Sequence, residues 1–370
     1  MKKKRIGIDA SRAFSSHPTG IERYAFSLIE HLTHSLKEEE VTLYVRKNTR
    51  LPWKIPDGWR VKTIALPFFW TQIGLSWEMM VRSVDVLFVP SHVVPWVTPR
   101  KTVVTVHGLE FERISEGYSR FSRAFMRFFV RRSCIKASYI IAVSEHTKQD
   151  IMSLYGIEAS KIQVVYEGPG FLDEKKQPLF GKHIRKKLKK SDAFILFVGR
   201  LEYRKNIARL IEAFARVKKQ KRRLHKLVLA GFPGYGYEAI QKSKKQSGVS
   251  RDIVELGYIP DEEKQWLLKN TDVLVFTSLE EGFGLPILEA QQSGVPVVAS
   301  DSAVSREIAG SGVFFADPLQ VDDIAEKISY ALDDMERVRE SIALGKENVK
   351  RFSWKKCAEE ISSILKKECL

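Results

Sequence analysis

The sequence predicts an α/β protein built from two consecutive doubly wound domains, and three observations carry that expectation. Short β-branched runs alternate with longer helical stretches along the chain. The alternation stops around Gly168-Pro169-Gly170 and restarts near Phe194. The 370 residues are too many for one ordinary core and suit two.

In the first half, strands are predicted at 6–8, 41–45, 61–64, 86–89, 103–106 and 140–143. Helices are predicted over 21–36 and 121–137. The strands are apolar at nearly every position, as parallel strands covered on both faces must be. The stretch from Asp173-Glu174-Lys175-Lys176 to 186–190 is polar and basic, and reads as a linker with a short surface helix. Strands resume at 194–198, 227–230, 253–256, 273–276, 295–298 and 313–315. A last helix over 354–367 places Ile361, Ile364 and Leu365 on one side. The expected division is 1–172, a linker at 173–191, and 192–351, with a C-terminal helix at about 352–370 packing back on the first domain.

Composition excludes several classes. With 44% hydrophobic and 29% charged residues the chain is a folded globular protein, not a disordered one. Cys134, Cys357 and Cys369 are odd in number and far apart, with no CxxC pair or His/Cys cluster. Neither a disulfide framework nor a metal site is expected, which fits a reducing cytoplasm. Met1-Lys2-Lys3-Lys4 looks like the start of a signal peptide, but Ile6-Gly7-Ile8 is too short an apolar core before Asp9. No run reaches the ~20 apolar residues of a membrane span. The most apolar stretch, 65–77, is short and carries Thr71, Gln72 and Ser76. The net charge of +16 suits an anionic partner, or a lysine-rich surface that only aids solubility.

Doubly wound sheets bind ligands beyond the C-terminal ends of their strands, so the residues just after strands matter most. The strand at 194–198 ends in Gly199-Arg200-Leu201-Glu202-Tyr203-Arg204-Lys205-Asn206. Arg200 and Lys205 on this turn, beside a helix N-terminus, form a site for a diphosphate, or else are two solvated charges. The strand at 273–276 leads to Glu281-Gly282-Phe283-Gly284-Leu285-Pro286. Pro286 suits a first helical turn and Gly294 its end. Gly282 and Gly284 free the backbone for close approach to a ligand. Glu281 and Glu289 are placed to face one ligand, where a carboxylate accepts two hydrogen bonds from a vicinal diol. Taken singly, Glu281 also fits a carboxylate at a helix start and Glu289 a surface helix residue.

The string from Glu281 through Gly-Phe-Gly-Leu-Pro-Ile-Leu to Glu289, with Ala290-Gln-Gln-Ser-Gly-Val-Pro following, resembles the signature of the retaining glycosyltransferase family 4, of the GT-B fold. Gly199-Arg200, Lys205-Asn206 and Gly257-Tyr258-Ile259-Pro260 are similar to that family too, and overall the chain resembles its bacterial mannosyltransferases. The resemblance implies two Rossmann-like domains facing a central cleft. It implies that Gly199, Arg200 and Lys205 meet the diphosphate of a nucleotide-sugar donor, and that Glu281 contacts the donor sugar. Glu289 would hold the ribose, and the backbone of Gly282, Phe283, Gly284 and Leu285 would bind sugar and phosphate oxygens. Tyr258, Ile259 and Gly231 would flank the base. No cofactor beyond the donor, GDP-mannose or a UDP-hexose, is implied.

In the first half, the strand at 103–106 ends in His107-Gly108-Leu109-Glu110. By itself His107 fits a structural histidine as well as a catalytic one. The family commonly carries His-Asp here; His107 matches its active-site histidine, and Gly108 departs from the Asp. Gly20, in Thr19-Gly20-Ile21-Glu22, matches a loop that nears the donor phosphates, while Glu22 stands where another glycine is frequent. Ser144 and His92 are weaker candidates, each equally able to cap a helix.

The helix at 119–137 sets Arg120, Arg123, Arg127 and Arg131 on one face and Phe121, Phe125, Phe128 and Phe129 largely on another. It reads either as a helix with its phenylalanines in the core, or as one lying on an anionic membrane to reach a lipid-linked acceptor on the inner face.

Two classes compete with the transferase. A nucleic-acid-binding protein would use 218–223 and 186–190, yet leaves the two glutamates unexplained, so no nucleic acid is expected. A dinucleotide oxidoreductase needs GxGxxG after the first strand, where Asp9-Ala10-Ser11-Arg12 stands instead. A nucleotide-sugar epimerase is the nearer enzyme alternative.

Overall fold

The structure is a computed structural model that describes residues 4–16, 18–170, 177–221 and 224–368. Met1, Lys2 and Lys3, Asp173-Glu174-Lys175-Lys176, Arg222-Arg223 and Cys369 lie outside the described residues.

The chain forms two compact units. Unit 1 comprises 1–109, 121–168 and 352–370; unit 2 comprises 110–120 and 169–351. Unit 1 is a seven-stranded parallel sheet in the order β3-β2-β1-β4-β5-β6-β7. Its strands are β1 (Arg5–Asp9), β2 (Glu40–Arg46), β3 (Trp59–Ile64), β4 (Val86–Val89), β5 (Lys101–Val106), β6 (Tyr139–Ala142) and β7 (Ile162–Val164). The last of these escapes the sequence because it is three residues long with a glutamine in the middle.

Unit 2 is a six-stranded parallel sheet in the order β10-β9-β8-β11-β12-β13. Its strands are β8 (Phe194–Val198), β9 (Lys226–Ala230), β10 (Ile253–Gly257), β11 (Val273–Phe276), β12 (Val297–Ser300) and β13 (Phe314–Ala316). Successive side chains of a strand point to opposite faces. Phe194 and Leu196 accordingly pack with Ile287 on one side, and Ile195 and Phe197 with the helix Ile207–Lys221 on the other. That two-sided burial is why β8 reads as a continuous apolar run.

Local chemistry sets the helix ends. Helix Gly20–Ser35 starts with a capping box in which the Glu22 carboxylate takes the Thr19 amide at 3.0 Å. Glu22, which departs from the family's glycine, is thereby committed to the cap and to Arg12 at 3.2 Å. Ser144 caps helix Glu145–Tyr155 by accepting from the Thr147 amide. Helix Leu285–Ser293 has Pro286 in its first turn and ends at Gly294, whose φ of 71° is left-handed.

The C-terminal helix, Trp354–Glu368, packs in unit 1: Cys357, Ile361 and Leu365 share a core with Ile6, Leu28 and Leu32. The basic stretch expected to be a linker is, from residue 177 on, part of unit 2. Ile184 and Leu188, one turn apart, are buried in its core, and Phe180 packs on Trp266 with ring centroids 4.6 Å apart. The lysines between them obscured this spacing in the sequence.

Helix Arg120–Lys136 corrects the core-packed reading of its aromatic face. Its buried stripe is Val130, Ser133 and Cys134 in the C-terminal half. Phe121 is 82% exposed, and Phe125 and Phe128 also face solvent. Among the described residues no helix is long and apolar enough to cross a membrane.

Candidate functional site

In unit 2 the chain leaves β8 toward β9 and β10 on one side, and toward β11, β12 and β13 on the other. The crevice beyond the C-terminal ends of β8 and β11 is therefore the place where the strand order reverses, the usual ligand site of an open α/β sheet. The residues singled out in the sequence, 199–206 and 281–289, follow those two strands.

Close backbone contact shapes the β8 side. The Gly199 amide donates to Ala230 O at 3.0 Å and the Leu201 amide to Phe232 O at 2.8 Å. Gly231 has φ 157°, and a Cβ there would lie 1.8 Å from Gly199 O, so the two loops meet only because a glycine is present. A 3₁₀ turn, Tyr203–Lys205, follows, and Asn206 ends it in the left-handed region at φ 58°. Its side chain holds that turn by donating to Pro318 O at 2.6 Å.

Lys205 and Glu281 come together: Lys205 Nζ donates to Glu281 Oε1. Arg204 joins them, with Nη1 3.2 Å from Glu281 Oε2, Nε 2.7 Å from Glu202 and Nη1 3.7 Å from Glu110. Three carboxylates thus surround two cations, and the side chains are only 11–19% exposed. Burial alone would raise the Glu281 carboxyl, but Lys205 and Arg204 outweigh it and hold it down to about 2, so it is ionised at every working pH. Glu110 has its pKa raised by burial, which the attraction of Arg204 only partly offsets. Lys205 is lowered by burial and by neighbouring Arg204, against the pull of Glu281.

Arg200 stands apart from this cluster. It is exposed and makes no ion pair among the described residues. Of the two cations expected to act together, one is engaged and the other open. Sequence reading missed Arg204; the only signal was its position next to Lys205. Glu110 gave no signal, since it lies far away in sequence and reaches unit 2 through the 110–120 segment.

Glu289 is 4% exposed, which excludes a surface residue. Lys264 Nζ donates to its Oε1 at 2.6 Å, and a Cβ on Gly170 would lie 1.7 Å from the same oxygen. Lys264 is a third residue the sequence did not reveal. Gly284 is the N-cap of the helix carrying Glu289, at φ 116°, while Gly282, buried Phe283 and Leu285 form the turn around it. Tyr258 stacks on Phe232 with centroids 5.4 Å apart and planes 18° off parallel, a flat platform beside Gly231 and buried Ile259.

In unit 1, His107 is held at both ring nitrogens. Nδ1 is 3.4 Å from Glu167 Oε1, and Nε2 is 3.1 Å from Pro90 O. Tyr24 packs edge-on at 4.5 Å. Buried Glu167 is thus a partner that the sequence did not suggest. His92 lies beneath, accepting from the His107 amide at 3.4 Å; burial, then His107, lowers its pKa well below the usual histidine value. Gly20 is exposed, and a Cβ there would meet nothing within 4 Å.

Two parallel α/β units, with charged side chains gathered at the strand-order reversal of unit 2, match the GT-B glycosyltransferase fold. Two family models match the chain: Glycosyltransferase Family 4 over 18–168 and Glycosyl transferases group 1 over 181–348. The chain belongs to this family, the group 1 glycosyltransferases of family 4. It is 28% identical over 261 residues to O-antigen chain mannosyltransferase B of Escherichia coli, covering 70% of this chain and 68% of that one. Its fold matches sucrose-phosphate synthase of Thermosynechococcus elongatus with a TM-score of 0.76 and 16% identity, over 99% of both chains. It also matches HepE of Anabaena, solved with UDP and glucose, with a TM-score of 0.69 and 18% identity over 99% of this chain and 100% of that one.

Proposed function

We propose that the protein is a retaining hexosyltransferase that moves mannose from GDP-mannose to a hydroxyl of a glycan or lipid-linked acceptor in cell-surface polysaccharide or glycolipid synthesis. The observation that carries this reading is the joining of Lys205 and Glu281, beside open Arg200, at the strand-order reversal of unit 2. The mannosyltransferase relative supports the choice of sugar. A UDP-sugar-dependent glucosyl- or N-acetylhexosaminyltransferase is the second reading, favoured by the UDP and glucose of HepE.

The donor loses a diphosphate as its glycosidic bond breaks, and the developing negative charge needs fixed positive partners. In our reading Arg200, Lys205 and the N-terminus of helix Leu285–Ser293 supply them without a metal. Glu281, permanently ionised, aligns Lys205 and meets the donor sugar; it is a stabiliser and forms no covalent bond to the sugar. A carboxylate at Glu289 receives the ribose hydroxyls, and the Phe232–Tyr258 platform takes the base with Ile259 and Gly231. His107, held by Glu167, is the catalytic histidine of unit 1. A donor phosphate oxygen takes the acceptor proton. The basic helix Arg120–Lys136 attaches the enzyme to the inner face of the cytoplasmic membrane.

A thermal-shift panel of GDP, UDP, ADP and their hexose derivatives tests the donor. A ligand at ~100 times its dissociation constant adds about 2.7 kcal/mol. Stabilisation by GDP and GDP-mannose, followed by mannose transfer with the anomeric configuration kept, is the expected result. A response to UDP-sugars only moves the assignment to the second reading, and no response to any nucleotide removes the donor site.

A further inference from the structure

Three segments of unit 1 form one exposed aromatic surface, of which helix Arg120–Lys136 is only a part. The second is the 66–81 segment. Phe68 and Phe69 are 78% and 71% exposed, and Ile73, Trp77, Met80 and Val81 are exposed behind them. The third is 94–97, with Trp96 exposed. Hydrogen bonds tie the three together. Ser76 Oγ accepts from the Trp96 and Val97 amides at 2.8 and 3.2 Å, and Gln72 donates to Val94 O at 3.1 Å. Arg132 donates to Trp96 O at 2.7 Å and lies 4.2 Å over the Trp96 ring, which stacks on Phe128.

The Phe68-Phe69 turn is costly for a lone chain in water. Phe69 has φ 52°, a left-handed conformation that disfavours bulky residues by roughly 1–2 kcal/mol. Its ring gains no burial in return. A six-residue π-helix, Trp70–Leu75, follows, and such turns recur at functional sites.

Charge selects the occupant. Across 66–81, 94–100 and 120–136 there are seven arginines and lysines and one acid, Glu78, which pairs with Lys62 at 3.8 Å. The cations are Arg100 and six residues of the helix, while 66–81 carries exposed apolar side chains and no cation; an anionic bilayer takes both, since apolar insertion and electrostatic attraction must combine for stable attachment. A protein partner of matching size would need a dense acidic face.

We propose that Phe68 and Phe69 form a membrane-inserting tip, coupled through Ser76 and Trp96 to the arginine helix, and that the ligand of this surface is an anionic lipid bilayer. The inference rests on the membrane attachment proposed for the helix and adds the element that gives it depth.

The test uses the full chain with vesicles of phosphatidylcholine alone or with phosphatidylglycerol, read by co-sedimentation and by quenching of tryptophan with brominated lipid. F68S/F69G removes both rings and relieves the left-handed strain, so its melting temperature should match or exceed that of the parent. We expect it to bind anionic vesicles at least about tenfold more weakly at 150 mM salt. R123Q/R127Q should lose the preference for anionic over neutral vesicles. Unchanged binding of F68S/F69G at full stability overturns the tip while leaving the helix attachment standing; no binding of the parent at low salt overturns both. A parent dimer that F68S/F69G dissolves identifies a second copy as the occupant instead. Hydrolysis of donor in the absence of acceptor, measured in parallel, reports on the transferase reading separately.

Discussion

Arg204 should hold the β8 and β11 loops together, and removing it gives a measurable cost. Its guanidinium lies 2.7 Å from Glu202, 3.2 Å from Glu281 and 3.7 Å from Glu110. Arg204→Ala leaves three carboxylates with Lys205 as their only cation in the cluster. Breaking a buried ion pair from one side costs about 3–5 kcal/mol. These groups retain some solvent, so the lower end applies, about 3 kcal/mol. For a unit of this size each kcal/mol shifts the melting point by roughly 2–4 °C, which gives a fall of about 6–12 °C. The loss should also depend on pH. Glu110 already has a raised pKa through burial, and without Arg204 it rises further. A carboxyl whose folded pKa exceeds its unfolded value weakens the fold at high pH and is relieved as pH falls. The melting deficit should therefore be larger at pH 7.5 than at pH 5.5 in differential scanning fluorimetry, and Glu110→Gln should recover part of it. Arg204→Lys should recover little, because a single ammonium cannot bridge three carboxylates as a planar fork does. A deficit below about 2 °C, equal at both pH values, would mean that Arg204 does not tie the two loops together.

Arg200→Ala should leave the melting point unchanged, because Arg200 is exposed, yet lower turnover by about 10²–10³; near-normal turnover removes it from the mechanism. Glu289→Ala should abolish the nucleotide-induced rise in melting temperature and also destabilise the free protein, since Lys264 is left buried without its partner; the Glu289→Ala/Lys264→Met pair should restore stability but not nucleotide response. Glu281 has a folded pKa near 2 against an ordinary 4.5, so it adds on the order of 3 kcal/mol above pH ~4.5 that is lost as pH falls toward 2. Acid titration of Glu281→Gln should show less loss across that window than the parent. Chelation with EDTA should leave turnover unchanged; its loss, restored by a divalent cation, would assign a metal to the reaction.

The two parallel sheets were largely legible in the residues alone, because central strands such as β4, β8 and β11 are buried on both faces and read as apolar runs, whereas short, polar β7 was not. The sequence also marked the turns after β8 and β11, because Gly199 and Gly284 hold positive-φ conformations that favour glycine there. What it could not determine was partnership. The Arg204–Glu110 and Lys264–Glu289 contacts join residues 94 and 25 positions apart, and no local period encodes them. The fate of the phenylalanines at 121–128 was equally hidden. A helical wheel separates an aromatic face from a basic one, but which face meets protein depends on how far the neighbouring strands and loops reach, and that is fixed only when the sheet is assembled.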